Sequence, residues 1–414
     1  MKDKKIEKLI KLEQKRQRET LTLIPSENLV SGDVLEALGS ELTNKYAEGY
    51  PRARYYGGNQ YIDEIEEEAR ARALKLFKLQ PKKWSVNVQP YSGSPANLAV
   101  LLALVPLGEK IMGMRLDMGG HLTHGHKVSL TGKAWTSVQY DIDRKTEVLD
   151  YSQILELAKK EMPKLIIAGF TAYPRTIDFK KFREIADAVG VYLMVDISHI
   201  AGLVAGGAHP SPFPWADVVT TTTHKTLRGP RSAMIFANRE SKIAAANNVD
   251  IAKAIDKAVF PGLQGGPHMN QVAAIAVAMK EADSPKFKKY ALQVVKNSKA
   301  LAAELIGSGW RLVSGGSDNH LILIDVAEKG IGGKEASERL EKSGIIANKN
   351  TIPYDPRTPV DPSGIRLGTP TLTTRGMKEK EMKIVAKLIT DVLLKNKNVS
   401  REVLKLCKKF PIKI

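Results

Sequence analysis

Thr220-Thr221-Thr222-Thr223-His224-Lys225-Thr226-Leu227 follows directly on Ala216-Asp217-Val218-Val219, so a lysine stands where a buried strand gives way to a loop. Upstream, Val191-Tyr192-Leu193-Met194-Val195 is a second strand-like run, and it ends on an acid, Asp196. The two charged residues are 29 positions apart, which leaves room for one more strand between them. Short apolar runs closed by polar residues in this way belong to a buried, mostly parallel sheet. In such sheets ligand groups gather at the carboxyl ends of the strands, where Asp196 and Lys225 both fall.

The pattern extends in both directions. Strands are expected at 84–89, 110–114, 165–170, 191–196, 217–223 and 232–236, and helices at 95–105, 152–160 and 179–189. That alternation predicts an α/β domain. Before it, residues 6–18 read as a helix with Ile6, Leu9, Ile10 and Leu12 on one side. Residues 20–60 look irregular, and 62–78 return to a helical pattern. After the Gly-rich break Phe260-Pro261-Gly262-Leu263-Gln264-Gly265-Gly266-Pro267, a helical stretch runs from about 268 to 306. A smaller α+β unit follows, with strands at 321–326 and 364–367 and helices at 333–343 and 376–395. The expected division is an N-terminal helix and arm (1–60), a large α/β domain (61–267), and a connecting helix with a small C-terminal α+β domain (268–414).

A chain of 414 residues, 43% hydrophobic and 26% charged, is ordinary for a globular protein of two or three domains. The single cysteine, Cys407, excludes an intrachain disulfide, and its amphipathic setting assigns it to packing. No N-terminal apolar stretch could act as a signal peptide and no run is long enough to cross a bilayer, so a cytoplasmic protein without a membrane partner is expected. The net charge of +18 raises the question of nucleic acid. Yet residues 1–18 hold 8 Lys/Arg against 3 acids, and 375–414 hold 12 against 4, so +13 of the +18 lies on helix-like ends. No nucleic-acid motif accompanies it, and no nucleic-acid partner is expected.

A lysine in a buried pocket can form a Schiff base, and pyridoxal phosphate needs a carboxylate to keep its ring nitrogen protonated. By itself a lysine after a strand is usually nothing more. Ser92-Gly93-Ser94, ahead of a helix starting near Pro95, offers hydroxyls and backbone N–H groups to a phosphate, although Ser-Gly-Ser is also a common turn. Gly119-Gly120-His121-Leu122-Thr123-His124-Gly125-His126 brings three histidines together. Their spacing lacks a helix and nearby carboxylates, so no metal is expected, and one imidazole is better used stacked on a cofactor ring.

With these in place, the chain from about Leu21 onward resembles the serine hydroxymethyltransferase family, pyridoxal-phosphate enzymes of fold type I, the aspartate aminotransferase fold. The resemblance rests on Leu42-Thr43-Asn44-Lys45-Tyr46-Ala47-Glu48-Gly49-Tyr50-Pro51, on Arg54-Tyr55-Tyr56-Gly57-Gly58 and on Thr220 to Leu227. It implies that Lys225 binds the cofactor covalently, that Asp196 holds its ring nitrogen, that His121 stacks on the ring and that His199 lies near its phenolic oxygen and the substrate. Ser92, Gly93 and Ser94 would bind the phosphate, and Thr171 the ring. Gly265, Gly266, Tyr46, Glu48 and Tyr56 would reach the site of a neighbouring subunit, so a homodimer with shared sites is expected. Arg366 would clamp the substrate carboxylate with help from Ser26, and Leu122 would border the substrate. Glu48 and Asn350 would face a reduced pterin. The expected activity is the reversible interconversion of serine and glycine, with the carbon unit passing to tetrahydrofolate or a modified form such as tetrahydromethanopterin.

Each residue also has a plainer reading. Arg366 is either a surface arginine or the bidentate partner of an amino-acid carboxylate. Glu48 is either a solvated loop acid or a proton carrier, and His224 is either core filling or an orienting neighbour of Lys225. Thr171, Ser198, Leu263, Arg228 and the stretch Ile352–Pro356 depart from the commonest bacterial pattern of the family and leave the pterin open. The competing expectation is a pyridoxal-phosphate β-hydroxy amino acid aldolase, which has little reason to keep the Tyr46–Tyr56 arm.

Overall fold

The computed structural model describes residues 1–413. Its contacts separate two compact units, Val30–Leu292 and Met1–Leu29 with the chain from Gln293 onward. These limits differ from the expected segments 1–60, 61–267 and 268–414. Residues 30–60 and the helix Met269–Ala282 group with the large sheet, and the second limit falls inside the helix Pro285–Gly307.

The unit Val30–Leu292 is built on seven strands: β1 Trp84–Asn87, β2 Lys110–Met114, β3 Thr136–Tyr140, β4 Leu165–Gly169, β5 Tyr192–Asp196, β6 Val218–Thr222 and β7 Ala233–Asn238. They lie in the order β1-β7-β6-β5-β4-β2-β3. Only β7 runs against its neighbours. Central strands β4, β5 and β6 are buried throughout, which is why their sequences are continuous apolar or threonine runs without alternation. The expected strands are all present. The edge strand β3 has no counterpart in the sequence reading, because Thr-Ser-Val-Gln-Tyr is half-exposed and too polar to stand out.

The helix Gly93–Leu104 crosses one face with Ala96, Ala99, Val100 and Leu101 against the sheet. The expected helical stretch at 268–306 is two helices, Met269–Ala282 and Pro285–Gly307, because Ser284 precedes a proline that cannot continue the first. The nominally irregular 30–60 region holds a short helix, Gly32–Leu38, and a two-stranded ribbon, Gly49–Tyr50 with Ala53–Arg54.

In the other unit four strands, β8 Arg311–Leu312, β9 Leu321–Asp325, β10 Asn348–Asn350 and β11 Gly364–Gly368, pair antiparallel in the order β8-β9-β11-β10. Its core joins Ile322, Ile324, Ile365 and Leu367 to the helix Glu379–Lys395 and to Cys407, whose thiol is pushed up by burial. Leu21 and Leu23 belong to the same core through a parallel pairing of Leu21–Thr22 with Ile345–Ile346. The helix Lys4–Glu19 buries none of its residues and leaves Ile6, Leu9, Ile10 and Leu12 exposed. No helix among the described residues is long and apolar enough to cross a membrane.

Candidate active site

The carboxyl ends of β1, β2, β4, β5 and β6 point to one edge of the sheet and carry, in turn, Ser92, His121, Thr171, Asp196 and Lys225. Register fixes part of this layout: Asp196 lies opposite Gly169 on one side and Thr220 on the other.

Asp196 is buried and its carboxylate is nearly saturated. Oδ2 accepts from Asn97 Nδ2 at 2.9 Å and His124 Nε2 at 3.2 Å, and Oδ1 accepts the Ser198 backbone N–H at 3.0 Å. Burial pushes the carboxyl up, but the hydrogen bond from His124, the electrostatic pull of the neighbouring imidazoles and Ser198 outweigh it, so Asp196 is held well below its ordinary value. The His121 backbone N–H reaches His124 Nδ1 at 3.3 Å, so His124 Nε2 carries the proton it gives to Asp196. Of the four lone-pair positions on the carboxylate, these donors fill three.

Asn97, Thr123 and Thr220 tie this acid to His121. Asn97 gives its second amide proton to Thr123 Oγ1 at 2.8 Å and accepts from Thr220 Oγ1 at 2.8 Å. Thr123 Oγ1 meets His121 Nδ1 at 2.7 Å, and the Thr123 N–H donates to the same nitrogen at 3.1 Å. The ring that would stack on a cofactor therefore has its tautomer and orientation fixed. Thr171 gives its hydroxyl proton to Gly120 O at 2.6 Å, which pins the loop entering His121.

Gly93 opens the helix Gly93–Leu104. A Cβ built on it would lie 2.7 Å from the Thr222 methyl, so no side chain fits there. Among the described residues the hydroxyls of Ser92 and Ser94 have no hydrogen-bond partner, and Ser92 does not cap its own helix. A helix start with free N–H groups, two free hydroxyls and no side chain in the way fits a phosphate. Ser198 Oγ accepts the Thr222 N–H at 3.0 Å, joining the loop after β5 to the strand that leads to Lys225. His199 is buried against Phe170, and its carbonyl accepts from Thr226 Oγ1 at 3.1 Å, beside Lys225. Lys225 is half-buried. Burial, then the charges of Lys225 and Arg231, lower the His224 imidazole to about 3, and its Nδ1 is buried without a hydrogen-bond partner. Leu122 stands exposed next to His121.

Tyr46, Glu48, Tyr56, Gly265 and Gly266 form a second group. A Cβ on Gly265 would come within 3.4 Å of Glu48 Oε1, and one on Gly266 within 3.2 Å of the Tyr46 ring. Tyr46 and Tyr56 meet edge to face at 5.2 Å. Tyr91 donates to Gly266 O at 2.9 Å and stacks on His268 at 4.2 Å. The backbone bearing Glu48 is clamped: Arg54 Nη1 donates to Ala47 O and Gly49 O, both at 2.9 Å, and the Tyr55 N–H donates to Glu48 O at 3.0 Å. Arg54 is in turn paired with buried Glu66 at 2.8 Å and with Asp63 at 2.9 Å.

Arg366, Ser26 and Asn350 lie in the other unit. Arg366 sits mid-strand in β11, opposite Leu323 and Asn348, and its Nε donates to Asn348 Oδ1 at 3.2 Å. Burial lowers its guanidinium to about 10, which leaves it charged at neutral pH. It is not the surface arginine of the plainer reading. Pro25, next to Ser26, packs on Gly368, two residues beyond Arg366. Asn350 pairs with Gly364 on the same face as Asn348, and its amide donates to Thr351 O at 2.7 Å. The following loop is organised by Asp355, which accepts from Ile352 N and from both the N–H and hydroxyl of Ser363.

Comparison with known proteins gives this geometry its context. The family profile described as serine hydroxymethyltransferase matches residues 1–389. The chain belongs to the serine hydroxymethyltransferase family. It is 54% identical to the serine hydroxymethyltransferase of Sorangium cellulosum (strain So ce56) over 99% of this chain and 95% of that one. With the one from Desulfotalea psychrophila (strain LSv54 / DSM 12343) it shares 54% identity over 99% of this chain and 94% of the relative. The relative from Acidothermus cellulolyticus (strain ATCC 43068 / DSM 8971 / 11B) is 55% identical, covering 94% and 88%.

Asn97, Thr123, His124, Thr220, Arg54 and Asn348 support the site of this serine hydroxymethyltransferase family member without standing out in its sequence. Asn97 did carry a signal, as a single amide in the apolar run Ala96–Leu104. His124 was seen only as one of three histidines. Among the described residues no cluster of three His, Cys, Asp or Glu could hold a metal ion.

Proposed function

We propose that this protein interconverts serine and glycine and passes the hydroxymethyl carbon to and from a tetrahydropterin, with pyridoxal phosphate as its cofactor. The observation that carries this reading is the buried Asp196 carboxylate, ionised and held by Asn97, His124 and Ser198 with one acceptor position left open. When bound, the cofactor accepts the electron pair released as a bond at the substrate Cα breaks.

The chain's own residues supply the rest. Lys225 would provide the amine that holds the cofactor through its aldehyde carbon. Asp196 would keep the ring nitrogen protonated, and His121, oriented by Thr123, would stack on the ring. His199 and Thr171 border the ring, and Ser92, Gly93 and Ser94 hold the phosphate. Arg366, with Ser26, would fix the substrate carboxylate and so orient the substrate Cα. Glu48 moves a proton at the serine hydroxyl or at the pterin, and Tyr56 and Leu122 border the same space. His224 stays neutral beside Lys225 and orients it. Asn350 faces the pterin, which is tetrahydrofolate or a modified form such as tetrahydromethanopterin.

We further propose a cytoplasmic homodimer in which residues 1–60 form the interface arm, and Tyr46, Glu48, Tyr56, Gly265 and Gly266 serve the partner's site. Their grouping around Tyr91 supports this, as do the exposed rings of Tyr46, Tyr55 and Tyr56.

Two measurements test the reading. Purified protein loaded with pyridoxal phosphate should convert serine to glycine when tetrahydrofolate is added, and Lys225→Ala should abolish both the turnover and the covalent cofactor absorption band. Turnover that ignores every tetrahydropterin tried, with β-hydroxy amino acid cleavage intact, would move the assignment to the aldolase. For the shared site, Lys225→Ala and Glu48→Gln chains, each inactive, are mixed after mild dissociation. If the sites are shared, half of the dimers are mixed and each regains one intact site, roughly a quarter of full activity. No recovery would refute sharing.

A further inference from the structure

We propose that the large unit carries a second ligand site, at the end of the sheet opposite the cofactor residues, that binds a small aromatic anion. A cavity of about 640 Å³ lies beside Trp84, the first residue of β1, and Phe213-Pro214, which lead into β6. A volume of this size suits a ring system of drug-like dimensions. None of the cofactor or substrate residues named above lines it.

Its wall is aromatic. Phe213 meets Trp84 edge to face at 5.2 Å and Phe77 at 5.1 Å, so an entering ring finds an apolar surface already packed in place. Its charge has one sign. Lys78 and Lys288 line the cavity together with His209 and Ser211, and no aspartate or glutamate does. Both lysines are exposed, and neither is paired with a carboxylate among the described residues. The helix Gln60–Leu76 ends at this cavity, but the Lys78 and Leu79 N–H groups cap its Lys75 and Leu74 carbonyls at 3.0 and 2.9 Å. Its negative end is therefore covered. The same capping sets Lys78 in the left-handed region, at φ 59°, and roots that side chain at the cavity rim. His209 Nδ1 donates to Pro210 O at 2.9 Å, which fixes the ring in the wall. An apolar aromatic floor under two uncompensated ammonium groups selects a ring that bears a carboxylate, sulfonate or phosphate. A neutral ring gains nothing from the lysines, and a cation is repelled.

The test uses the full-length, cofactor-loaded protein and naphthalenesulfonate as the probe, followed by titration calorimetry. One saturable site per chain is expected, unaffected by saturating glycine, and a neutral naphthol should bind about tenfold more weakly. The double charge reversal Lys78→Glu with Lys288→Glu should weaken the sulfonate by about tenfold or more while leaving the naphthol unchanged. Lys78→Arg with Lys288→Arg should retain sulfonate binding. Because both lysines are exposed, these variants should fold, and unchanged cofactor absorption confirms it. Three results would each overturn the proposal: no saturable binding, sulfonate affinity that ignores the charge reversal, or binding that glycine displaces.

Discussion

Asn97 spends both amide protons and its carbonyl inside the protein, on Asp196, Thr123 and Thr220. Truncating it removes three buried hydrogen bonds, one of them to a carboxylate, each contributing about 0.5–3 kcal/mol, so Asn97→Ala should lower the stability of the cofactor-free protein by several kcal/mol in urea unfolding. It should also weaken cofactor binding by at least about tenfold in fluorescence titration, because Asp196 and the His121 ring lose a shared support. Stability lost with cofactor affinity intact would mean that the network holds the fold alone. His224 gives a prediction in pH. Its folded value, about 3, lies below the ordinary 6.5, so on acidification the unfolded chain takes up the proton first. The stability tied to this group is complete above its unfolded value and is lost as pH falls from there toward about 3, at about 1.4 kcal/mol per pH unit. His224→Gln should flatten that part of the acid limb, read from urea midpoints of the cofactor-free protein; parallel limbs would count against it. At this scale the residues proposed to bear the chemistry, Lys225, Asp196 and Arg366, drew notice in the sequence through their places at strand ends or after a glycine. The sequence hid their supports, because Asn97, Thr123 and Thr220 act only once helix, loop and strand are brought together.

Gly93 and Thr222 belong to a helix and a strand that meet behind the proposed phosphate site. Gly93→Ala puts a methyl 2.7 Å from Thr222 Cγ2 and must displace the helix start, so cofactor affinity should fall by about tenfold. Thr222→Ser removes that methyl, and the double variant should recover most of the loss by equilibrium dialysis. Additive losses would show that the close approach is not the cause. The ribbon carrying Glu48 depends on Arg54, whose side chain is 3% exposed above Glu66 at 1%. Arg54→Met leaves the buried Glu66 carboxylate with Gln89 but without its counter-charge and should cost about 3–5 kcal/mol in urea unfolding, whereas a loss under 1 kcal/mol would show that the ribbon stands without it. Elements whose faces are wholly buried, such as β4, β5 and β6, were legible because their sequences are uninterrupted. Strand β3 and the 49–54 ribbon were not, since pairing rather than apolar content defines them. The break between 282 and 285 was visible in Ser284-Pro285 and was read through.

At the scale of the whole molecule, the proposed dimer predicts a use for the helix Lys4–Glu19, which leaves Ile6, Leu9 and Ile10 in solvent. Substituting lysine at Leu9 and Ile10 should change the unfolding free energy of the separated chain by less than about 0.5 kcal/mol, because neither residue is buried. In sedimentation the same substitutions should shift the protein toward monomer; an unchanged mass would remove this helix from the interface. Fold class was legible because strand and helix alternate along 84–240, but the grouping of segments was not, since units fill in space and not in chain order. Leu21 and Leu23 are fully buried against a core made mostly from residues beyond 300, and Leu21 pairs with Ile345. During synthesis at roughly 5–20 residues per second, Leu21 therefore waits roughly 15–65 s for its partner strand to be made. For that interval the nascent chain trails a sticky apolar segment ahead of a large unit whose residues are nearly all translated first. A ribosome-associated chaperone would find its target there.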